Sequence, residues 1–319
     1  MKTLAPEHKW FKQITLSKAD QVYVGLDVHK SSISLAICVN DRIAHAFRCS
    51  ADHGPLIEKL KMLGTALKMV SYEAGPTGYS LARALQAASL PVQVISPSNT
   101  PRPSKRSSKT DALDCRQLAL YSSQGLLKPV TIPTPEEEAQ RQLPRLRDQL
   151  VRKRRRVRQQ IKSFLLQHGI SQPAGLSRWS CAAVIRLQEL DLHSALRLSL
   201  DLYLEELAHL SSLIQRVEAR LRAMTEETGH AEALNILTSH PGVGLVTSWA
   251  FHTEIFRPQR FQQPGQIASF LGLSPRLIQS GLTSRSGPIS KSGREQLRSK
   301  LIEASWVWIQ RDPKARRTY

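Results

Sequence analysis

The chain has 319 residues, enough for about two domains and a sizeable core, and its 41% hydrophobic and 22% charged residues exclude collagen-like and wholly disordered classes. With 45 Lys and Arg against 26 Asp and Glu, the net charge is +19. That excess points to a polyanionic partner, either nucleic acid or an anionic membrane surface.

No window of about 18 consecutive apolar residues occurs, so no helix is expected to span a bilayer. Residues 1–21 hold no apolar stretch of the kind that marks secretion. Cys38, Cys49, Cys115 and Cys181 include no CxxC pair. They are read as small buried hydrophobes in a reducing cytoplasm, and neither a disulfide framework nor a thiolate zinc site is supported. Nucleic acid is therefore the favoured partner, with no membrane.

In chain order, residues 1–20 read as a poorly ordered lead-in. Val22, Val24 and Leu26 alternate with Tyr23, Gly25 and Asp27, and Ile33, Leu35 and Ile37 repeat the alternation, so a hairpin is predicted. Arg42–Phe47 fits a third strand and Leu56–Leu67 an amphipathic helix. A short strand over Met69–Tyr72, a helix from Thr77 to Ala88 and a strand over Val92–Ile95 follow, which together give a mixed α/β sheet. A Ser-, Pro- and Lys-rich loop, Ser96–Ser108, leads to a helix opening at Lys109, and Leu126–Pro135, with three prolines, reads as a linker. Beyond it the strand signal disappears. Residues 136–168 and 182–228 read as long Leu- and Arg-rich helices forming a helical hairpin, and the segment from Ala233 is mixed.

Four carboxylates stand out. Asp27 lies on the first strand and points the same way as Tyr23 and Gly25, Glu73 sits at the C-terminal end of a later strand, and Asp111 and Asp114 share a helix face with Cys115 and Leu118. Singly, each has a structural reading: a strand-end turn residue, a surface acid, a first-turn acid that suits the helix dipole. Together they favour a divalent-metal site, because oxygen ligands around a hard cation remove both the mutual repulsion and the cost of desolvating the acids. Two metal ions about 3.5–4 Å apart are the usual arrangement for in-line phosphodiester chemistry.

Arg141–Arg158 holds nine Arg or Lys and one acid, Asp148, with Arg152, Lys153, Arg154, Arg155 and Arg156 uninterrupted. Such a run either meets phosphates or solubilises the chain. Without interleaved aromatics, backbone or A-form groove contact is read in preference to base stacking. In His240-Pro-Gly-Val-Gly244, the turn made by Gly242 and Gly244 either joins two helices or offers backbone N–H groups to a phosphate. The segment Phe270–Arg294 reads as a basic Ser/Gly loop in which Ser280, near Arg276, Arg285, Lys291 and Arg294, is one hydroxyl among several. No dinucleotide fingerprint or P-loop is present.

Val-Gly-Leu-Asp-Val-His-Lys, Tyr-Glu-Ala-Gly-Pro-Thr-Gly, Lys-Thr-Asp-Ala-Leu-Asp, His-Pro-Gly-Val-Gly and Gly-Leu-Ser-Pro-Arg…Gln-Ser-Gly…Ile-Ser-Lys-Ser-Gly occur in this order. In that order they resemble the DEDD insertion-sequence transposases of the IS-one-ten type, relatives of the pilin-gene invertase. The resemblance covers Val22 to Trp306. It implies an α/β N-terminal domain (RuvC-like, RNase H fold), a long helical coiled-coil segment and a mainly α C-terminal transposase domain. The boundaries are 1–20 for the lead-in, 21–125 for the DEDD domain, 126–230 for the linker and coiled coil, and 231–319 for the last domain, which holds the helix-hairpin-helix-like turn and the serine.

By position, the resemblance implies that Asp27, Glu73, Asp111 and Asp114 bind Mg²⁺, with Mn²⁺ as a substitute, and that Ser280 attacks DNA to form a phosphoserine link. The implied partners are donor and target DNA, a structured bridge RNA as guide, and further copies of the chain in a dimer or tetramer with composite active sites, in a bacterial cytoplasm near the nucleoid. Relatives of this type usually continue past the motif resembling Arg311–Tyr319 with a further basic helical segment.

Other readings are a Mg²⁺-dependent junction nuclease using the four acids alone, an inactive nucleic-acid-binding remnant, and a sugar or acyl kinase of the actin-like fold. The kinase would need a second glycine-rich phosphate loop that this chain lacks.

Overall fold

The computed structural model describes residues 16–17, 19–98, 100, 111–227, 229–280 and 283–318, with the side chains of 111–114, 280, 283, 284 and 318 outside that description. Most of the lead-in expected over 1–20, and the helix start expected at Lys109, lie outside the described residues. The chain divides into two compact units, Met1–Pro133 and Thr134–Tyr319.

In the first unit, β1 (Val22–Val28), β2 (Ser32–Val39) and β3 (Arg42–Ser50) form an antiparallel meander. Asn40 and Asp41, both at positive φ, make the two-residue turn that a right-twisted hairpin favours. Next come α1 (His53–Lys61), β4 (Leu67–Glu73), α2 (Ser80–Ala87), β5 (Val92–Ile95), α3 (Asp111–Ser123) and β6 (Pro129–Val130). The sheet order is β3-β2-β1-β4-β5-β6, with β4 parallel to both β1 and β5.

Strand alternation sorts the sheet into two faces. Val22, Val24 and Leu26 share a core with Leu56, Leu60, Leu81 and Leu85 from α1 and α2. On the opposite face, Ala36 and Cys38 pack against Cys115 and Ala119 of α3. The helix expected over Leu56–Leu67 begins three residues earlier, where the Asp52 carboxylate accepts from the Gly54 N–H, and it ends before Gly64, whose φ of +54° breaks it. Inside the expected linker, Pro129 and Val130 pair antiparallel with β5 as an edge strand, a position where proline's missing N–H costs little.

The second unit opens with α4 (Pro135–Gln167). Thr134 and Glu137 form a complete capping box at its start. It runs antiparallel to α6 (Ser194–Glu227): Arg147 pairs with Glu218, while Phe164 meets the Tyr203 ring edge-on near the other end. The second long helix expected over 182–228 is two helices, α5 (Cys181–Gln188) and α6, because Arg197 donates to the carbonyls of Leu187, Gln188 and Leu190 and seals the break. Cys181 is exposed at the start of α5, against the buried reading; Cys38, Cys49 and Cys115 are buried.

Then follow α7 (Ala231–Thr238), α8 (Leu245–Ile255), α9 (Pro264–Phe270), β7 (Pro275–Ser280), β8 (Thr283–Ile289), α10 (Glu295–Arg311) and α11 (Pro313–Thr318). The strand signal was expected to end at the linker. Instead β7 and β8 form an antiparallel hairpin within the segment read as a Ser/Gly loop. The molecule is thus a mixed α/β N-terminal unit followed by a mostly helical one.

Candidate active site

Asp27 and Glu73 come together through strand register. β1 and β4 are parallel, with Leu26 beside Tyr72. One step further sets Asp27 beside Glu73, and neighbours in register on parallel strands project from the same face, their strands about 4.8 Å apart.

That face belongs to α3. A Cβ on Gly25 would lie 2.1 Å from the Cys115 carbonyl oxygen, so only glycine lets α3 sit on β1. On β4, Ser71 donates to Ser122 of α3 at 2.9 Å. Asp27 and Glu73 each lie two residues beyond these contacts, on the same side of the sheet. Gly25 was not singled out from sequence, although a glycine inside an alternating strand is a signal of close backbone approach.

Both acids line a cavity of about 650 Å³ with His29, Lys30, Pro76 and Leu118. Asp27 meets His29 Nε2 at 3.1 Å, and the Thr100 hydroxyl donates to Glu73 at 2.6 Å. The Cys115 thiol is pushed up to about 11 by burial and by the negative charge of Asp27, so it stays protonated and offers no thiolate ligand. The helical backbone of α3 puts positions 111, 114 and 118 on one stripe, and Leu118 lines the cavity. The side chains of Asp111 and Asp114 lie outside the described residues. Among the described residues, no group of three or more His, Cys, Asp or Glu is gathered around one point. Two hard carboxylates on one sheet face fit a divalent cation with oxygen ligands.

The basic run of α4 divides in two. Arg145 makes a two-pronged contact with Glu254 of α8 at 2.9 and 3.2 Å, Arg141 lies 3.7 Å from the same carboxylate, and Arg147 pairs with Glu218 at 2.7 Å. These three arginines are structural ion-pair partners, which corrects the reading of the whole run as phosphate-seeking. Arg152, Lys153, Arg155 and Arg156 are exposed and Arg154 is half-buried, and no ion pair to any of them is found among the described residues.

Gly242 turns at φ +87° with its α-carbon against Ala304, where a Cβ would lie 2.4 Å from that residue's carbonyl oxygen; its glycine is explained by packing on α10. Gly244 is the N-cap of α8 and faces open space. In the hairpin region, Arg276 donates to the Ser290 carbonyl at 3.2 Å, Arg285 and Lys291 are exposed, and Arg294 lies 3.2 Å from Glu254. Arg294 is therefore held by an internal acid. Ser280 ends β7; its side chain is outside the described residues.

Comparison with known proteins identifies the class. A DEDD-type transposase model matches residues 24–170, and the model described as "Transposase IS116/IS110/IS902 family" matches residues 234–319. The chain is 29% identical over 293 residues to the putative transposase y4qE of Sinorhizobium fredii, covering 90% of this chain and 72% of that protein. It is 29% identical over 244 residues to the transposase for insertion sequence element IS1328 of Yersinia enterocolitica, covering 76% and 71%. A second Sinorhizobium fredii relative, putative transposase y4rJ, is 30% identical over 269 residues, covering 77% and 66%.

The class is therefore that of transposases, enzymes that act on DNA. Within it, the chain belongs to the IS110-type DEDD transposase family, whose members are generally metal-dependent. Among the described residues no helix is long and apolar enough to cross a membrane.

Proposed function

We propose that this transposase cuts and rejoins DNA strands at the β1–β4 carboxylate site. Asp27 and Glu73, with Asp111 and Asp114 from the first turn of α3, would hold Mg²⁺, or Mn²⁺ in its place. Bound there, the ion supplies Lewis-acid polarisation of a phosphoryl oxygen. Lys30 adds a positive charge at the cavity wall, where a phosphodiester enters. In this reading Ser280 supplies the nucleophile: its oxygen bonds to phosphorus, the DNA oxygen leaves with a proton, and a phosphoserine ester remains until the new strand end displaces the serine.

Support for an RNase H-type, RuvC-like domain is the antiparallel meander continued by parallel β4 and β5. Support for a coiled coil is the antiparallel α4–α6 pair, in which Leu200, Leu204, Leu207, Leu210, Ile214, Val217 and Leu221 are buried at three- and four-residue spacing. The Mg²⁺ identity, a guide RNA and an oligomer with composite active sites rest on the family resemblance. The observation that carries the proposal is the register that puts Asp27 beside Glu73 on one sheet face, over one cavity.

The test is strand transfer by the full chain with its element ends. Asp27→Asn is expected to abolish cleavage while leaving nucleic-acid binding intact, and Ser280→Ala to remove the covalent protein–DNA adduct seen on denaturing gels. Cleavage that survives Asp27→Asn overturns the metal site. Cleavage that survives Ser280→Ala, with no adduct in either protein, identifies a nuclease using the acids alone.

A further inference from the structure

The loop between α4 and α5 brings an aromatic ring to the basic helix. Trp179 stacks on Arg158, whose guanidinium carbon lies 5.1 Å from the ring centroid. Trp179 holds a φ of +55°, a conformation that bulky residues rarely adopt and that costs about 1–3 kcal/mol unless surroundings enforce it. The surroundings do enforce it: the Trp179 N–H donates to the Leu176 carbonyl at 3.2 Å, and Leu176 is buried in the hairpin core.

Arg158 is the exception among the arginines of α4. Among the described residues, its Nε is buried without a hydrogen-bond partner. It makes no ion pair among the described residues, and Arg154, one turn earlier, makes none either. Burial and the like charge of Arg154 both work against its protonated form. Two guanidiniums on one helix stripe, one lying over an aromatic ring and neither paired with an acid among the described residues, constitute an anion receptor whose counter-charge comes from outside the chain.

The geometry points to Arg158, oriented by Trp179, together with Arg154 one turn earlier, as a preorganised binding site for a backbone phosphodiester of the nucleic acid. This rests on the reading of the chain as a nucleic-acid-processing enzyme but differs from the exposed track of Arg152, Lys153, Arg155 and Arg156. The track offers charge on long mobile side chains, whereas Arg158 offers a planar fork held in one orientation. Lysine can replace the first kind of contact but not the second.

The experiment measures binding of the full chain to fluorescein-labelled single-stranded RNA, single-stranded DNA and duplex DNA across a salt series. Arg158→Lys is expected to weaken binding about tenfold, the worth of a lost two-pronged phosphate contact, while Arg152→Lys stays within about twofold. The oligonucleotide that loses most identifies which backbone occupies the site. Equal effects at the two positions overturn the proposal but leave nucleic-acid binding standing. Failure of the unaltered chain to bind any of the three overturns both. Trp179→Leu provides the second variant should Arg158→Lys perturb folding: weakened binding with unchanged helical circular dichroism and an unchanged salt slope is expected, because no charge is removed. Binding equal to that of the unaltered chain contradicts the site.

Discussion

The two halves of helix α4 carry the same residue type and do different work. In the first half, Arg141, Arg145 and Arg147 are spent on Glu254 and Glu218, acids that arrive from α8 and α6. In the second half, Arg152–Arg156 and Arg158 have no such acids among the described residues, although they stand on the same helix. A run of positive charge in sequence is thus two objects in space. One is an internal adhesive between helices and the other is a surface that requires an external anion. Charge density alone does not separate them; the positions of the acids do.

The largest effect that sharpens this contrast lies at Glu254. Its carboxylate is about nine-tenths buried and takes Arg145, Arg141 and Arg294. Replacing it with Ala leaves three cations around a site with no counter-charge, and the expected loss is about 3–5 kcal/mol of stability in urea unfolding. Lysine-to-alanine or arginine-to-alanine changes in the second half have no acid to orphan, so a comparable loss there would break the distinction.

A smaller effect separates the halves by pH. Arg257 hydrogen-bonds Glu137, with Nε to Oε1 at 2.8 Å, and this, with the Thr134 backbone N–H of the capping box, holds the Glu137 carboxyl below its ordinary value. A depressed carboxylate contributes stability that is complete above the unfolded value of about 4.3 and is lost as pH falls through the folded value. Unfolding midpoints measured from pH 6 down to pH 3 should therefore fall less steeply for Glu137→Gln than for the unaltered chain. Parallel pH profiles would mean that the capping box and its arginine add nothing to the anchored half.

The side of the sheet that Asp27 faces, and the place of Glu73 at a strand end, were legible in the chain itself. Period-two alternation through Val22–Asp27 sets which side Asp27 faces, and a carboxylate at the end of a parallel strand is where α/β sheets present ligands. What local pattern did not carry was pairing across distance. Glu254 lies 109 residues from Arg145, and nothing near either one announces the bond. Strands β6 and β7–β8 were missed because proline opens β6 and β7 and serine, glycine and proline fill most of β8, and their pairing depends on partners and not on their own preference. The absence of aromatics inside the basic run hid Trp179, which reaches Arg158 from a loop.

In the proposed function, Asp27 and Glu73 share one ion. That sharing is tested most directly, and without reference to activity, by titrating the full chain with Mn²⁺ and following free Mn²⁺ by electron paramagnetic resonance. The unaltered chain should bind Mn²⁺, with affinity falling at least about tenfold in Asp27→Asn and again in Glu73→Gln, since even outer groups around a metal cost that much when removed. Equal Mn²⁺ affinity in the unaltered chain and both variants would contradict the account.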